Sequence, residues 1–228
     1  MTVTIISVGN GGFNVATDII NAGIFPEHKF IVVDTDEDLL SKNAEKADKS
    51  ILFGKFGRGK VKSNLIGMVD DVLDGTSDTV IVCATLGGMT GSKYAPLISL
   101  NAIVKGKFVC NVTTSPMSYE GEIKNNRALN AWQQMICSAN LSFQQNNDQL
   151  DKIDNLMLGD MNKPMVDTIA NACSDHSLEE LSKMSKTQLG SSVPKDYQLE
   201  GIQLVKIIGD CYPQITDPDR KELFDELS

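Results

Sequence analysis

Three glycine-rich stretches in this chain have the composition of anion cradles. The first is Val8-Gly9-Asn10-Gly11-Gly12-Phe13-Asn14. Glycines let a backbone approach an anion closely, and a helix opening there offers free N–H groups and the positive end of its dipole. The same residues also suit a tight strand-to-helix turn. The second stretch, Gly54-Lys55-Phe56-Gly57-Arg58-Gly59-Lys60-Val61, matches G-x-x-x-x-G-K. It places Val61 where a P-loop needs Ser or Thr to hold magnesium. It reads as a flexible basic loop that screens phosphate charge from the side. The third, Ala84-Thr85-Leu86-Gly87-Gly88-Met89-Thr90-Gly91-Ser92, adds hydroxyls to glycines and makes a second anion nest.

Two phosphate-grade loops on successive strand ends suit a triphosphate better than a single dinucleotide fingerprint. That fingerprint is nevertheless half present. Gly9-x-Gly11-x-x-Asn14 lacks the third glycine of G-x-G-x-x-G, and Asp34 closes the next apolar run. An acid there holds a ribose hydroxyl in an NAD site, or it starts a turn with Thr35 and Asp36. No acid or base suited to hydride transfer accompanies it. Farther on, Thr113-Thr114-Ser115-Pro116-Met117-Ser118-Tyr119-Glu120-Gly121 offers Glu120 as a ribose-hydroxyl acceptor, with Lys124 one helical turn later. Asn146-Asn147-Asp148 can read the donor–acceptor edge of a purine, and can equally cap a helix.

These loops need strands and helices to position them. Apolar runs at Val3–Val8, Phe30–Val33, Thr79–Cys83 and Phe108–Val112 have the continuity of parallel strands buried on both faces, and Leu141–Phe143 is a weaker fifth. Helical rows fall between them, over Phe13–Ala22, Lys60–Leu73, Tyr94–Val104 and Ile123–Ser138. The alternation predicts an α/β fold, a doubly wound parallel sheet with helices on both faces and ligands beyond the C-terminal strand ends. The last third differs. Leu150–Ser174 and Ser177–Lys186 read as helices, with Pro164 at a kink or in a first turn. Gly190–Tyr197 is linker-like, Leu199–Gly209 fits either strand or helix, and Asp219–Leu227 closes as a short helix.

Composition narrows the function classes. Over 228 residues, Lys plus Arg is 21 and Asp plus Glu is 30, for a net charge of −9. No direct contact with nucleic acid is expected from so acidic a chain. No apolar run reaches the roughly 18 residues of a membrane span. The first eight residues read as a strand and not as a signal peptide, so a cytoplasmic location is expected. The five cysteines include no C-x-x-C pair, which fits a reduced compartment, and two histidines leave little material for a His-based triad or metal site.

Taken in order, these motifs resemble those of the tubulin/FtsZ family of GTP-driven filament proteins. Gly87-Gly88-Met89-Thr90-Gly91-Ser92 resembles its signature G-G-G-T-G-T/S-G. Ser115-Pro116-Met117-Ser118-Tyr119-Glu120-Gly121 resembles the bacterial P-F-x-F-E-G segment, and Gly9–Asn14 resembles G-G-G-G-x-N. Phe30-Ile31-Val32-Val33-Asp34-Thr35-Asp36 resembles F-I-x-x-N-T-D, and Asn147-Asp148 resembles the N-D of the guanine loop. The resemblance spans about residues 3–150. It implies a Rossmann-like GTPase domain holding GTP or GDP, with Mg2+ as companion ion. Asn10, Gly11, Gly12, Phe13 and Asn14 would line the phosphates and the base side. Gly87, Gly88, Met89, Thr90 and Gly91 would cradle the phosphates, Glu120 would bond the ribose, and Asn147 would contact guanine. Lys124 stands where bacterial members carry Arg and offers a point charge in place of a fork. Leu158-Gly159-Asp160-Met161-Asn162 has the spacing of a later F-x-x-x-N pair, making Asn162 a further base contact.

The departures from the family pattern also carry expectations. Met89 replaces a signature glycine and Lys93 another, and Gly57-Arg58-Gly59-Lys60 stands in place of the A-G-A-N-P loop. Family members complete their active site across a subunit junction with an acidic N-x-D-x-x-D/E loop that orients water. The nearest candidate here is Asp219-x-x-Glu222, which is also a plain helix cap. Residues 1–175 are expected to form the nucleotide-binding domain and 176–228 a helical or irregular extension, not a full second domain. The implied function is a GTP-binding protein that self-assembles head to tail into filaments, with hydrolysis at the junction, in tasks such as cell division. A non-hydrolysing nucleotide-binding regulator of a filament protein, and an NAD-binding Rossmann protein, are the alternatives.

Overall fold

Strand and helix alternate along most of the chain. The computed structural model describes residues 2–54, 62–150, 160–184 and 202–205. β1 (Val3–Val8) runs into α1 (Gly9–Asn21), β2 (His28–Asp34) into α2 (Glu37–Ala44), and β3 (Lys49–Leu52) precedes α3 (Lys62–Leu73). β4 (Thr79–Thr85) runs into α4 (Met89–Val104). β5 (Phe108–Ser115) is followed by a 3-10 turn at Ser118–Glu120 and then α5 (Glu122–Cys137). β6 (Leu141–Asn146) leads to the single turn α6 (Asn147–Leu150), and α7 (Lys163–Cys173), α8 (Leu178–Lys183) and β7 (Ile202–Val205) follow.

The seven strands form one sheet in the order β3-β2-β1-β4-β5-β6-β7. β1, β2, β4, β5 and β6 are parallel, as the apolar runs predict, β3 joins them in parallel beside β2, and β7 pairs antiparallel with β6. The period of two along each strand sends alternate residues to opposite faces. Ile6, Val8, Val80 and Val82 pack under α3, α4 and α5 with Leu65, Ile98 and Met135. Val3, Ile5, Ile81 and Phe143 pack on the other face with Ile19, Met165 and Ile169 of α1 and α7. Leu178 and Leu181 of α8 are buried in that second cluster too. Among the described residues, no helix is long and apolar enough to cross a membrane.

The structure departs from the sequence expectation at several boundaries. α1 and α4 begin inside the glycine loops, at Gly9 and Met89, four and five residues before the periodic rows show them. Glycine is a poor helix former, but the packing described below requires it there. α2 is invisible to periodicity because it buries only Leu40 and Asn43. Pro164 sits in the first turn of α7, where its missing N–H has no partner to lose. Within the ambiguous 199–209 run, Ile202–Val205 is strand. Residues 55–61 of the basic loop, the 190–197 linker, Leu158 and the Asp219–Leu227 helix lie outside the described residues.

Candidate functional site

The strand order reverses between β1 and β4, and in such sheets the crevice outside their C-terminal ends is where ligands sit. The glycines there are spacers between elements. A Cβ on Gly11 would strike the Thr85 side chain, and one on Gly12 would strike the Cys83 carbonyl. A Cβ on Gly91 would lie 2.5 Å from the Thr85 carbonyl oxygen. Their absence lets the first turns of α1 and α4 press against the end of β4. Neither N-cap residue, Val8 or Gly88, supplies a side-chain cap. Two helix N-termini therefore present uncapped N–H groups and positive dipole ends to one crevice.

Hydroxyls tie the rim together. Thr35 Oγ1 and Thr90 Oγ1 are 2.7 Å apart, and Thr114 Oγ1 donates to Thr85 Oγ1 at 3.1 Å. Gly87, at φ +95°, is gripped on both sides. Its N–H donates to Ser92 Oγ at 2.7 Å, and its carbonyl accepts from Arg127 Nη1 at 2.8 Å. Asp34 is buried, and its carboxylate accepts from the N–H groups of Thr35 (2.6 Å) and Asp36 (3.2 Å). Its Oδ1 is engaged by the turn it forms with Thr35 and Asp36, which supports the turn-forming reading above.

Asn10 and Asn14 are exposed on the first turns of α1, with Gly11 and Gly12 between them. Phe13 is buried, its ring stacked on Phe30 at 5.8 Å, so it offers the crevice only backbone. Gly87 and Gly91 are buried, Gly88 and Met89 are exposed (Met89 at 66%), and Thr90 is half-buried. Pro116 and the Lys124 carbonyl approach Gly87, so the start of α5 adjoins the glycine loop. Glu120 accepts from the Met117 N–H at 2.8 Å and pairs with Lys124 at 3.0 Å. Lys124 is thus engaged by a carboxylate. Asn147 Oδ1 accepts from Gln145 Nε2 at 2.9 Å, and the same Nε2 donates to the Met161 carbonyl at 2.7 Å. Asn162 Nδ2 donates to Asp18 Oδ2 at 2.8 Å, one helical turn along α1 from Asn14. Asn10–Asn14 and Gly87–Gly91 thus meet at one crevice, Glu120 and Lys124 flank it, and Asn14, Asp18 and Asn162 mark one side. Arg58 and Lys60 lie outside the described residues, and Lys93 Nζ sits 5.2 Å above the Tyr94 ring.

Burial opposes ionisation of Glu120, but the Met117 N–H and the Lys124 ammonium outweigh it and hold its pKa below the ordinary carboxylate range. A depressed folded pKa contributes stability above the unfolded value, lost as pH falls through the folded one. The Ser118–Glu120 turn should therefore loosen only under acid conditions. Lys124→Met should raise the Glu120 titration midpoint, read by carboxyl-carbon NMR; an unmoved midpoint would show that the ion pair does not form in solution.

Sequence reasoning missed three groups. Gln145 is fully buried, and its Oε1 has no hydrogen-bond partner. Nothing in a polar residue at a strand end marks it as the clamp between Asn147 and Met161. Arg127 falls outside every motif. The third group lies at the opposite end of the sheet. Asp175 and Glu180 flank the start of α8, where Ser177 Oγ accepts from the Glu180 N–H at 3.2 Å and Glu180 Oε2 accepts from the Ser177 N–H at 2.8 Å. The Ser177 N–H and hydroxyl lower the Glu180 pKa. The S-x-x-E capping box is legible in sequence, but only as a cap. Thr79, the first residue of β4, donates to Glu179 at 3.1 Å. The acidic turn is thus about 20 Å from the glycine loops, at 3.3 Å per strand residue.

Comparison with known proteins agrees with this geometry. Residues 2–155 match the model of the tubulin/FtsZ family, GTPase domain. A cell division protein FtsZ from Bartonella bacilliformis is 32% identical over 130 residues, covering 52% of this chain and 22% of that protein. An empty FtsZ dimer from M. jannaschii superposes with a TM-score of 0.61 at 24% identity, over 81% of this chain and 56% of the other. A GTPγS-bound protofilament of CetZ2 from Haloferax volcanii gives 0.57 at 17% identity, over 76% and 58%. The matches thus span less than two thirds of each of these relatives.

Proposed function

The chain belongs to the tubulin/FtsZ family through a GTPase domain at residues 2–155, and from this premise we propose that it binds GTP and GDP in the crevice between β1 and β4. One observation carries the reading: two uncapped helix N-termini converge there, with Gly11, Gly12 and Gly91 packed where no Cβ fits. A polyphosphate satisfies both termini, since each favours negative charge. The polar set of exposed Asn14 and Asp18 with half-buried Asn162 suits the base, and Glu120 the ribose. The nucleotide unit would run to residue 175, and of the extension at 176–228 the described parts are α8, which packs on the sheet, and β7, which pairs with β6. Among the described residues no group of three His, Cys, Asp or Glu is placed to hold a metal. Mg2+, if it accompanies the nucleotide, would neutralise phosphate charge, with the Thr35 and Thr90 hydroxyls at the crevice rim as the residues to hold it.

The same layout supports hydrolysis at a junction between copies. A protomer cannot bring its own Asp175 and Glu180 to its own nucleotide, because they sit at opposite ends of the sheet. A second copy stacked head to tail can, and such a contact repeats into an open filament. The protofilament form of the haloarchaeal relative supports this arrangement. Met89, exposed at the mouth of α4, supports the rival reading of binding without turnover, because it occupies a signature glycine position.

The test of binding is direct. Nucleotide released from denatured protein is identified by chromatography, and GTP, GDP and NAD are titrated by calorimetry. Guanine nucleotide is expected in the first and saturable GTP and GDP binding in the second. Binding of NAD without GTP would overturn the reading.

A further inference from the structure

Arg127 supports a step beyond the nucleotide reading, on which the inference rests for its ligand. The Gly87–Gly88 peptide is planar and trans, so its carbonyl and its N–H point in opposite directions. The carbonyl is held by Arg127 Nη1 at 2.8 Å, on the α5 side. The Gly88 N–H therefore points the other way. Gly88 is exposed, and a Cβ built on it meets no atom within 4 Å, so the loop is open around it. The orientation is possible because Gly87 sits at φ +95°, where residues with a side chain are strained, and its N–H is fixed by Ser92. We propose that Arg127 is a positioning residue for phosphate binding: by holding the Gly87 carbonyl it locks this peptide so that the Gly88 N–H faces a phosphate oxygen. A flip of the peptide exchanges that N–H for a carbonyl, which turns attraction to the anion into repulsion. Arg127 acts through the loop and touches no ligand. Its planar fork fixes direction in a way that a lysine ammonium does not.

The role separates from simple stabilisation by its dependence on phosphate. GTP and guanosine are titrated against wild type, Arg127→Met and Arg127→Lys, with melting curves to confirm folding. Arg127→Met is expected to lower the ratio of GTP to guanosine affinity by at least about tenfold, and Arg127→Lys to recover part of it. In parallel, the Gly88 amide resonance is followed while inorganic pyrophosphate is added. A saturable shift is expected in wild type and its loss in Arg127→Met. An unchanged affinity ratio in Arg127→Met, or a wild-type Gly88 amide that ignores pyrophosphate, overturns the proposal. An Arg127-dependent pyrophosphate shift in a protein that binds no GTP would uphold the positioning role while removing the guanine-nucleotide reading.

Discussion

Gly91→Ala is expected to weaken GTP binding by about tenfold to a hundredfold, because relieving an overpacked contact costs about 1–3 kcal/mol. The added Cβ would lie 2.5 Å from the Thr85 carbonyl oxygen and 3.5 Å from that of Val8. Both are backbone atoms of the sheet, so relief must come from α4, whose first turn carries the N–H groups of the crevice. The sign is informative. Ala is about 1 kcal/mol better than Gly within a helix, so propensity alone predicts stabilisation. The crowding predicts a melting temperature lower by roughly 2–10 °C. Gly88→Ala is the control: its Cβ meets nothing within 4 Å and its φ is −73°, so it should lose only the N-cap preference of Gly over Ala and melt above Gly91→Ala. A Gly91→Ala protein that melts at or above wild type and binds GTP normally would show that α4 does not approach β4 as described.

The second large effect is expected at the far end of the sheet. Glu180→Gln should lower phosphate release by at least about a hundredfold, the usual scale for losing a group that handles the attacking water. Folding and GTP affinity should not change. Gln is as good a capping-box partner as Glu, so α8 keeps its start, and the residue is remote from the protomer's own crevice. Sedimentation should still show association, because the substitution removes a charge and not a surface. Wild-type turnover in Glu180→Gln would take this turn out of the reaction.

Much of the fold was legible because buried parallel strands are continuous in β-branched residues. β1 is bounded by the same residues in sequence and structure, and β4 and β5 are recognised a few residues short at their polar ends. β3 is not legible, since it is an edge strand that alternates half-buried and exposed residues, Lys49-Ser50-Ile51-Leu52. Helix starts were hidden by a conflict between levels: local propensity argues against helix at Gly9–Gly12, while close packing on Cys83 and Thr85 requires it. The loops that form the crevice could be read from glycine content alone, but their side-chain roles could not. Phe13 turns inward because its position on α1 faces Phe30 of β2. Asp34, a ribose acceptor by spacing, commits its Oδ1 to its own turn. Arg127 carries no motif and Glu180 only that of a helix cap; the carbonyl that one reaches and the end of the sheet that the other occupies give them meaning.

If one reaction site is divided between opposite ends of the sheet and completed by a second copy, turnover depends on contact between protomers. The rate of phosphate release per protomer, measured with GTP and Mg2+ over a wide range of protein concentration, tests it most directly. The specific rate is expected to be negligible when dilute and to rise with concentration in step with light scattering. A specific rate that stays constant as scattering increases would contradict it.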